Sequence, residues 1–235
     1  MTGRSRYLII YKYNIFNVLK SNLGIFRAFS DAKKPQKEDD LMTKISKNNG
    51  SKNIACLEAL WDDNLEQRIS AAALLDLAAK INEVKFTLLS CNTRDEFEFN
   101  INKLCISRIK KNYRVLYLVF HGHPNRISLS NEVWLSLEEL ADIFGDRFKG
   151  WVVHFSSCST LAIKENRLKN FIRKTKVSLV IGYTKNMSWS ECMAMDLLLF
   201  ENIANYKRLW DMKKRVGSRY GELVKMTGLR FYPGK

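Results

Sequence analysis

The stretch Val115-Leu116-Tyr117-Leu118-Val119-Phe120-His121-Gly122-His123-Pro124 passes without a break from six apolar residues into histidine, glycine and proline. A short run that is apolar at every position has both faces buried, the pattern of a central strand in a parallel sheet. Functional residues of open α/β sheets collect just outside the carboxyl ends of the strands. This strand ends on His121. A later run, Trp151 to Phe155, ends in the same way on Ser156-Ser157-Cys158-Ser159-Thr160. All three histidines of the chain, and the one cysteine flanked by serines, fall at these two points.

Working outward, short β-rich runs alternate with helical patterns, which predicts a parallel α/β sheet. Strands are expected at Asn53–Leu60, Val84–Leu89, Tyr113–Phe120, Trp151–Phe155 and Val177–Tyr183. Helices are expected at Leu65–Ile81, Asp95–Lys110, Leu137–Phe144, Leu161–Lys174, Ser190–Tyr206 and Leu209–Met226, with Leu229–Tyr232 a terminal strand or a tail. Ser136 is placed to cap the short helix, with Glu138 and Glu139 in its first turn. The segment from Leu129 to Trp134 reads as a short hairpin.

The chain carries 39 Lys+Arg against 24 Asp+Glu, a net charge of +15 that would ordinarily point to nucleic acid or an anionic membrane surface. Its distribution argues otherwise. Residues 1–30 hold Arg4, Arg6, Lys12, Lys20 and Arg27 and no acid, and residues after Asn205 are again strongly basic, so the middle of the chain is nearly neutral. The ends therefore read as appendages. Residues 1–52 are expected to be a flexible basic extension followed by a polar linker, and residues 53–235 a single domain with a basic C-terminal helix. The extension matches an organelle transit peptide only loosely, lacking an apolar core followed by a cleavage site. Scattered basic residues on a terminal helix more often form a solvated face, so nucleic acid is not expected as a partner. No run approaches the roughly 20 apolar residues of a membrane span. Cys56, Cys91, Cys105, Cys158 and Cys192 are odd in number and lack any CxxC pair. That argues for a reducing compartment, the cytoplasm, and all but Cys158 read as small buried hydrophobes.

A cysteine nucleophile needs an imidazole to take its proton and later protonate the leaving amine. With the two strands adjacent, His121 and Cys158 meet that requirement, and the N–H groups of Gly122 and Cys158 supply a two-donor oxyanion site. A helix starting just after Cys158 would further favour its thiolate.

The order of strand, Val119-Phe120-His121-Gly122, helix, strand, His154-Phe155-Ser156-Ser157-Cys158-Ser159-Thr160 resembles the caspase-like cysteine peptidases: caspases, metacaspases, gingipains, separase and bacterial CHAT-domain proteases. The likeness covers roughly Asn53 to Tyr206 and is nearest to the CHAT-like branch, through the apolar strand before each motif and Gly182-Tyr183-Thr184. The resemblance implies a three-layer α/β sandwich with a mainly parallel sheet flanked by helices. It implies a cysteine endopeptidase acting on a protein or peptide substrate through an acyl-enzyme and without a cofactor. His121 would be general base and acid, Cys158 nucleophile, and Gly122 an oxyanion donor. The Gln and Gly that flank the caspase cysteine are absent here, which removes the basis for caspase specificity. Tyr183, Trp189 and Glu191, around the loop after the next strand, are candidate pocket residues, although Glu191 also suits the first turn of the following helix.

Three other readings stand beside this one. The same fold also suits a catalytically inactive binding or scaffold module. His121, His123, His154 and Cys158 are all zinc-ligand types, but their spacing matches no familiar zinc pattern, and no metal is expected. His154, inside its strand, reads as a core histidine or as one that supports the site from behind.

Overall fold

The structure is a computed structural model, and it describes residues 52–61, 69–130, 133–205 and 208–234. The expectations for the N-terminal extension, for residues 65–68 of the helix predicted from Leu65 and for Tyr206 lie outside these residues; residues 69–71 of that predicted helix are not helical, and it starts at Ala72.

The chain runs β1 (Ile54–Glu58), α1 (Ala72–Asn82), β2 (Phe86–Ser90), α2 (Arg94–Leu104), α3 (Ser107–Lys110), β3 (Val115–Val119), β4 (His121–His123), β5 (Arg126–Ser128), β6 (Trp134–Ser136) and α4 (Leu137–Phe144). It continues with β7 (Val152–Ser156), α5 (Glu165–Thr175), β8 (Leu179–Tyr183), α6 (Trp189–Asn205), α7 (Leu209–Arg219), α8 (Gly221–Thr227) and β9 (Leu229–Pro233). Among the described residues the main sheet has six strands in the order β2-β1-β3-β7-β8-β9. All neighbours pair in parallel except β9, which runs antiparallel to β8.

The alternation of side chains along the strands sorts the core into two layers. Leu57, Leu116, Leu118, Phe120, Val153, Phe155 and Val180 face one side, packed on Phe97 and Ile101 of α2, Leu140 and Phe144 of α4, and Leu168 and Phe171 of α5. Cys56, Val115, Tyr117, Val119, Ile181 and Tyr183 face the other side, against Leu75 of α1, Met195 and Leu199 of α6 and Val216 of α7. The expected three-layer α/β sandwich is what the chain forms. In the main sheet β1, β3, β7 and β8 are buried on both faces or nearly so, whereas the edge strand β2 is only half-buried. No helix among the described residues is long and apolar enough to cross a membrane.

Ser136 does cap α4: its Oγ accepts from Glu139 N while Glu139 accepts from Ser136 N, a complete capping box. Thr93 and Glu96 form another at α2. Four further boundaries differ from expectation. The helix expected to reach Lys110 breaks at Ile106, whose extended backbone separates α2 from α3. The C-terminal helix is two, α7 and α8, divided at Tyr220. The hairpin expected around Leu129 belongs to a small antiparallel sheet, β4-β5-β6, in which His121-Gly122-His123 is itself a strand. Finally, α5 starts at Glu165 rather than Leu161, so Cys158 lies in a turn well before it.

Candidate functional site

Two adjacent parallel strands deliver the sequence-predicted pair. Val119 of β3 registers with Ser156 of β7, so His121 and Cys158 each lie two residues beyond a matched position. Immediately after β3 the chain enters β4, and Gly122 pairs with Ile127 of β5.

Gly122 presses on the backbone of the cysteine turn. A Cβ added there would lie 2.3 Å from Cys158 O, 2.4 Å from Thr160 Oγ1 and 2.9 Å from Cys158 N. Only glycine fits such an approach. The turn is held from both sides. On the hairpin side, Asn125 N donates to Thr160 O at 3.1 Å and Thr160 Oγ1 donates to Arg126 O at 3.4 Å. On the other side, Ser159 N donates to Lys185 O and Leu161 N to Tyr183 O, both at 3.0 Å. Ser159 itself takes a left-handed φ of 50°, a conformation a non-glycine residue holds only where its surroundings impose it. The helix-dipole aid expected for Cys158 falls away, because α5 begins seven residues later, at Glu165, and the dipole acts only within about the first turn.

His121 is exposed, and its Nε2 lies 3.1 Å from Trp61 O. A carbonyl only accepts, so Nε2 carries the proton, and in the neutral ring Nδ1 is left as the free base. The same Trp61 sets its ring edge-on to His121, with centroids 4.6 Å apart, and edge-on to Trp189 at 4.5 Å. The Cys158 thiol is half-buried and donates to Met187 O at 3.6 Å. The imidazole therefore borders a half-buried apolar patch of Trp61 and Trp189, while the thiol is held at the Met187 backbone, and no hydrogen bond joins one to the other.

Of the pocket candidates, Trp189 is at this patch. Tyr183 is not. It is completely buried on the α6 side of the sheet, its hydroxyl donating to Asp196, because strand alternation turns it inward. Glu191 takes the other reading anticipated for it, accepting from Ser188 N at 2.7 Å across the start of α6. His154 is the expected core histidine, wholly buried, with Nε2 2.5 Å from Asp196 Oδ1. It thus sits apart from His123, which is exposed and packs on Trp134. No cluster of metal-ligating side chains occurs among the described residues.

Sequence reasoning missed Trp61, whose contribution is a backbone carbonyl that any residue type would supply. It also missed Asp196, for which a signal existed: an acid inside the apolar run Met195-Asp196-Leu197-Leu198-Leu199. Burial pushes the Asp196 pKa up, but the His154 charge and hydrogen bonds from His154, Ser156 and Tyr117 outweigh it, leaving the carboxyl below its ordinary value. Burial first, and the Asp196 charge second, push Tyr117, Tyr183 and Cys192 well up. Burial also raises Cys56, Cys105 and Cys91, the last to about 11.

The fold matches known structures. The chain is similar to the Drosophila initiator caspase Dronc, with 14% identity and a TM-score of 0.50 over 74% of this chain and 76% of that one. At that identity the likeness establishes the caspase-like fold. No curated protein matches the sequence. Residues 51–233 match a family of unknown function, DUF6642, and the chain belongs to that family.

Proposed function

We propose that the protein is a cysteine endopeptidase using His121 and Cys158. The observation that carries this reading is the contact of Gly122 with the Cys158 backbone, which seats the His-Gly dipeptide directly on the cysteine turn. In the reaction, the thiol proton passes to His121 Nδ1 and Cys158 Sγ adds to the scissile carbonyl carbon. The oxyanion is received by the N–H groups of Gly122 and Cys158. Collapse breaks the C–N bond, the leaving amine takes the proton from His121, and the acyl group stays on Sγ. Water, deprotonated by His121, then releases the acid and restores the thiol. The Trp61 carbonyl serves by fixing the tautomer and orienting the ring.

The aromatic patch of Trp61 and Trp189 is the substrate-binding surface in this proposal. With Glu191 engaged at its own helix start, the surface favours uncharged, apolar side chains beside the scissile bond. The motifs' likeness to the CHAT-like branch is consistent with this reading.

Wild type, Cys158→Ala and His121→Ala are compared for covalent labelling by a peptidyl thiol-directed electrophile. Wild type alone should label fast. Equal labelling of the three would overturn the assignment.

One observation favours a second reading, a caspase-like binding module: thiol and imidazole are each hydrogen-bonded elsewhere, to Met187 O and Trp61 O. Unliganded dyads are often loose in this way. Wild type that reacts with iodoacetamide at Cys158 but with no peptidyl reagent would favour the module.

A further inference from the structure

A buried polar cluster lies directly beneath the cysteine turn, and neither chemistry nor packing as described so far uses it. Asp196, on α6, is wholly buried. Its Oδ2 accepts from Tyr117 OH and from Ser156 Oγ, each at 2.5 Å. Its Oδ1 accepts from His154 Nε2 at 2.5 Å and from Tyr183 OH. The donors come from three neighbouring strands, β3, β7 and β8. A carboxylate offers about four acceptor sites, and these four donors fill them. Cys192 borders the same cluster, its Sγ lying 3.1 Å from Ser156 Oγ and 3.7 Å from Asp196 Oδ2, two acceptors for its one S–H.

A buried charge of this kind is poor value as a stabiliser, since well-packed apolar residues commonly serve as well or better. Its placement is more informative. Two of the four donors, His154 and Ser156, are on β7, and Ser156 is the last residue of that strand, two before Cys158. Asp196 sits on the helix that opens at Trp189, just after Met187, whose carbonyl receives the Cys158 thiol. One carboxylate therefore ties down both the strand end that presents the thiol and the helix that follows the thiol's acceptor.

We propose that Asp196 is a positioning residue for Cys158, acting through the hydroxyl of Ser156. Ser156 is the transmitting link; Tyr117 reaches both the carboxylate and Ser156 Oγ, the latter at 3.3 Å, whereas Tyr183 anchors the carboxylate without a hydrogen bond to the strand end. The proposal rests on the endopeptidase reading only for what Cys158 does, not for how it is held.

The test compares Ser156→Ala with Tyr183→Phe, which each remove one donor from the same carboxylate and leave its charge in place. The rate of Cys158 alkylation by iodoacetamide is followed by peptide mass spectrometry between about pH 6 and 9, beside the thermal midpoint of each protein. Ser156→Ala should change the Cys158 rate on the order of tenfold and displace its pH profile. Tyr183→Phe should leave both unchanged whatever it does to the midpoint, and Ser156→Thr, which keeps the hydroxyl, should restore the wild-type profile. Equal rate changes in Ser156→Ala and Tyr183→Phe, or no change in either, would overturn the proposal. Because iodoacetamide needs no peptide recognition, wild type that refuses every peptidyl electrophile would remove the endopeptidase reading and leave this comparison intact.

Discussion

Gly122 and Cys158 meet backbone to side-chain-free backbone: a methyl at Gly122 would stand 2.3 Å from the Cys158 carbonyl oxygen. The contact is tight because β4 leaves β3 without a loop and crosses directly over the turn that follows β7. It joins the two halves of the site, and it makes the site sensitive to one methyl group.

Gly122→Ala is expected to fold, with the cysteine turn displaced. Overpacking of this kind costs about 1–3 kcal/mol, and here the atoms met are backbone and the Thr160 hydroxyl, which is fixed by hydrogen bonds to Ser157 and Arg126. Denaturant unfolding should show a loss in that range, and Cys158 labelling by a peptidyl electrophile should fall by at least about tenfold. Wild-type labelling in a folded Gly122→Ala protein would refute the contact.

Only one of the five cysteines should react quickly in the native state. Cys56, Cys91 and Cys192 are buried and their thiols are raised, Cys91 to about 11, so little thiolate exists at neutral pH and reagent cannot reach it. Cys105 is half-buried and raised as well. Native-state alkylation followed by peptide mapping should find Cys158 modified first, with Cys105 slower and the other three requiring unfolding.

Asp196→Asn should lose stability in a pH-dependent way. The Asp196 carboxyl is held below its ordinary value of 3.8 in the folded chain, so its stabilisation is fully present above that value and is lost as pH falls through the lower folded value. Breaking a buried pair on one side costs about 3–5 kcal/mol. Urea titrations should show that deficit near neutral pH and a narrowing gap below about pH 4. A gap that does not narrow in acid would mean that the charge of Asp196 is not what stabilises the cluster.

Trp189→Ala removes the ring that backs Trp61, which in turn lies against His121 at 4.6 Å. The expected result is weaker saturation by peptidyl electrophiles carrying apolar side chains, by a factor on the order of ten for the loss of an aromatic contact surface. The iodoacetamide rate at Cys158 should hardly move. An equal loss with both reagents would assign Trp189 to the turn's scaffold instead of the substrate surface.

Local patterns in the sequence carry the frame of this protein. Val115–Val119 reads as a central strand because it is apolar at every position, and it is central and completely buried. Ser136 and Glu139 read as a cap because the partners are three residues apart, and the cap forms. His121 and Cys158 stand out because the strands before them are legible, so the residues at their ends are too. What escaped the sequence depends on partners distant along the chain. That His121-Gly122-His123 is a strand depends on Arg126–Ser128 folding back to pair with it. That Cys158 sits in a turn rather than at a helix start depends on hydrogen bonds from Ser159 to Lys185 and from Leu161 to Tyr183. The Trp61 carbonyl and the Asp196 cluster have no periodicity and no spacing, since they are made by separate strands and helices brought together in space. Composition and periodicity determined the layers and the two strand ends; the tertiary structure alone decided what each side chain there touches, because hydrogen bonds and close approaches are set by geometry in space, which sequence order does not encode locally.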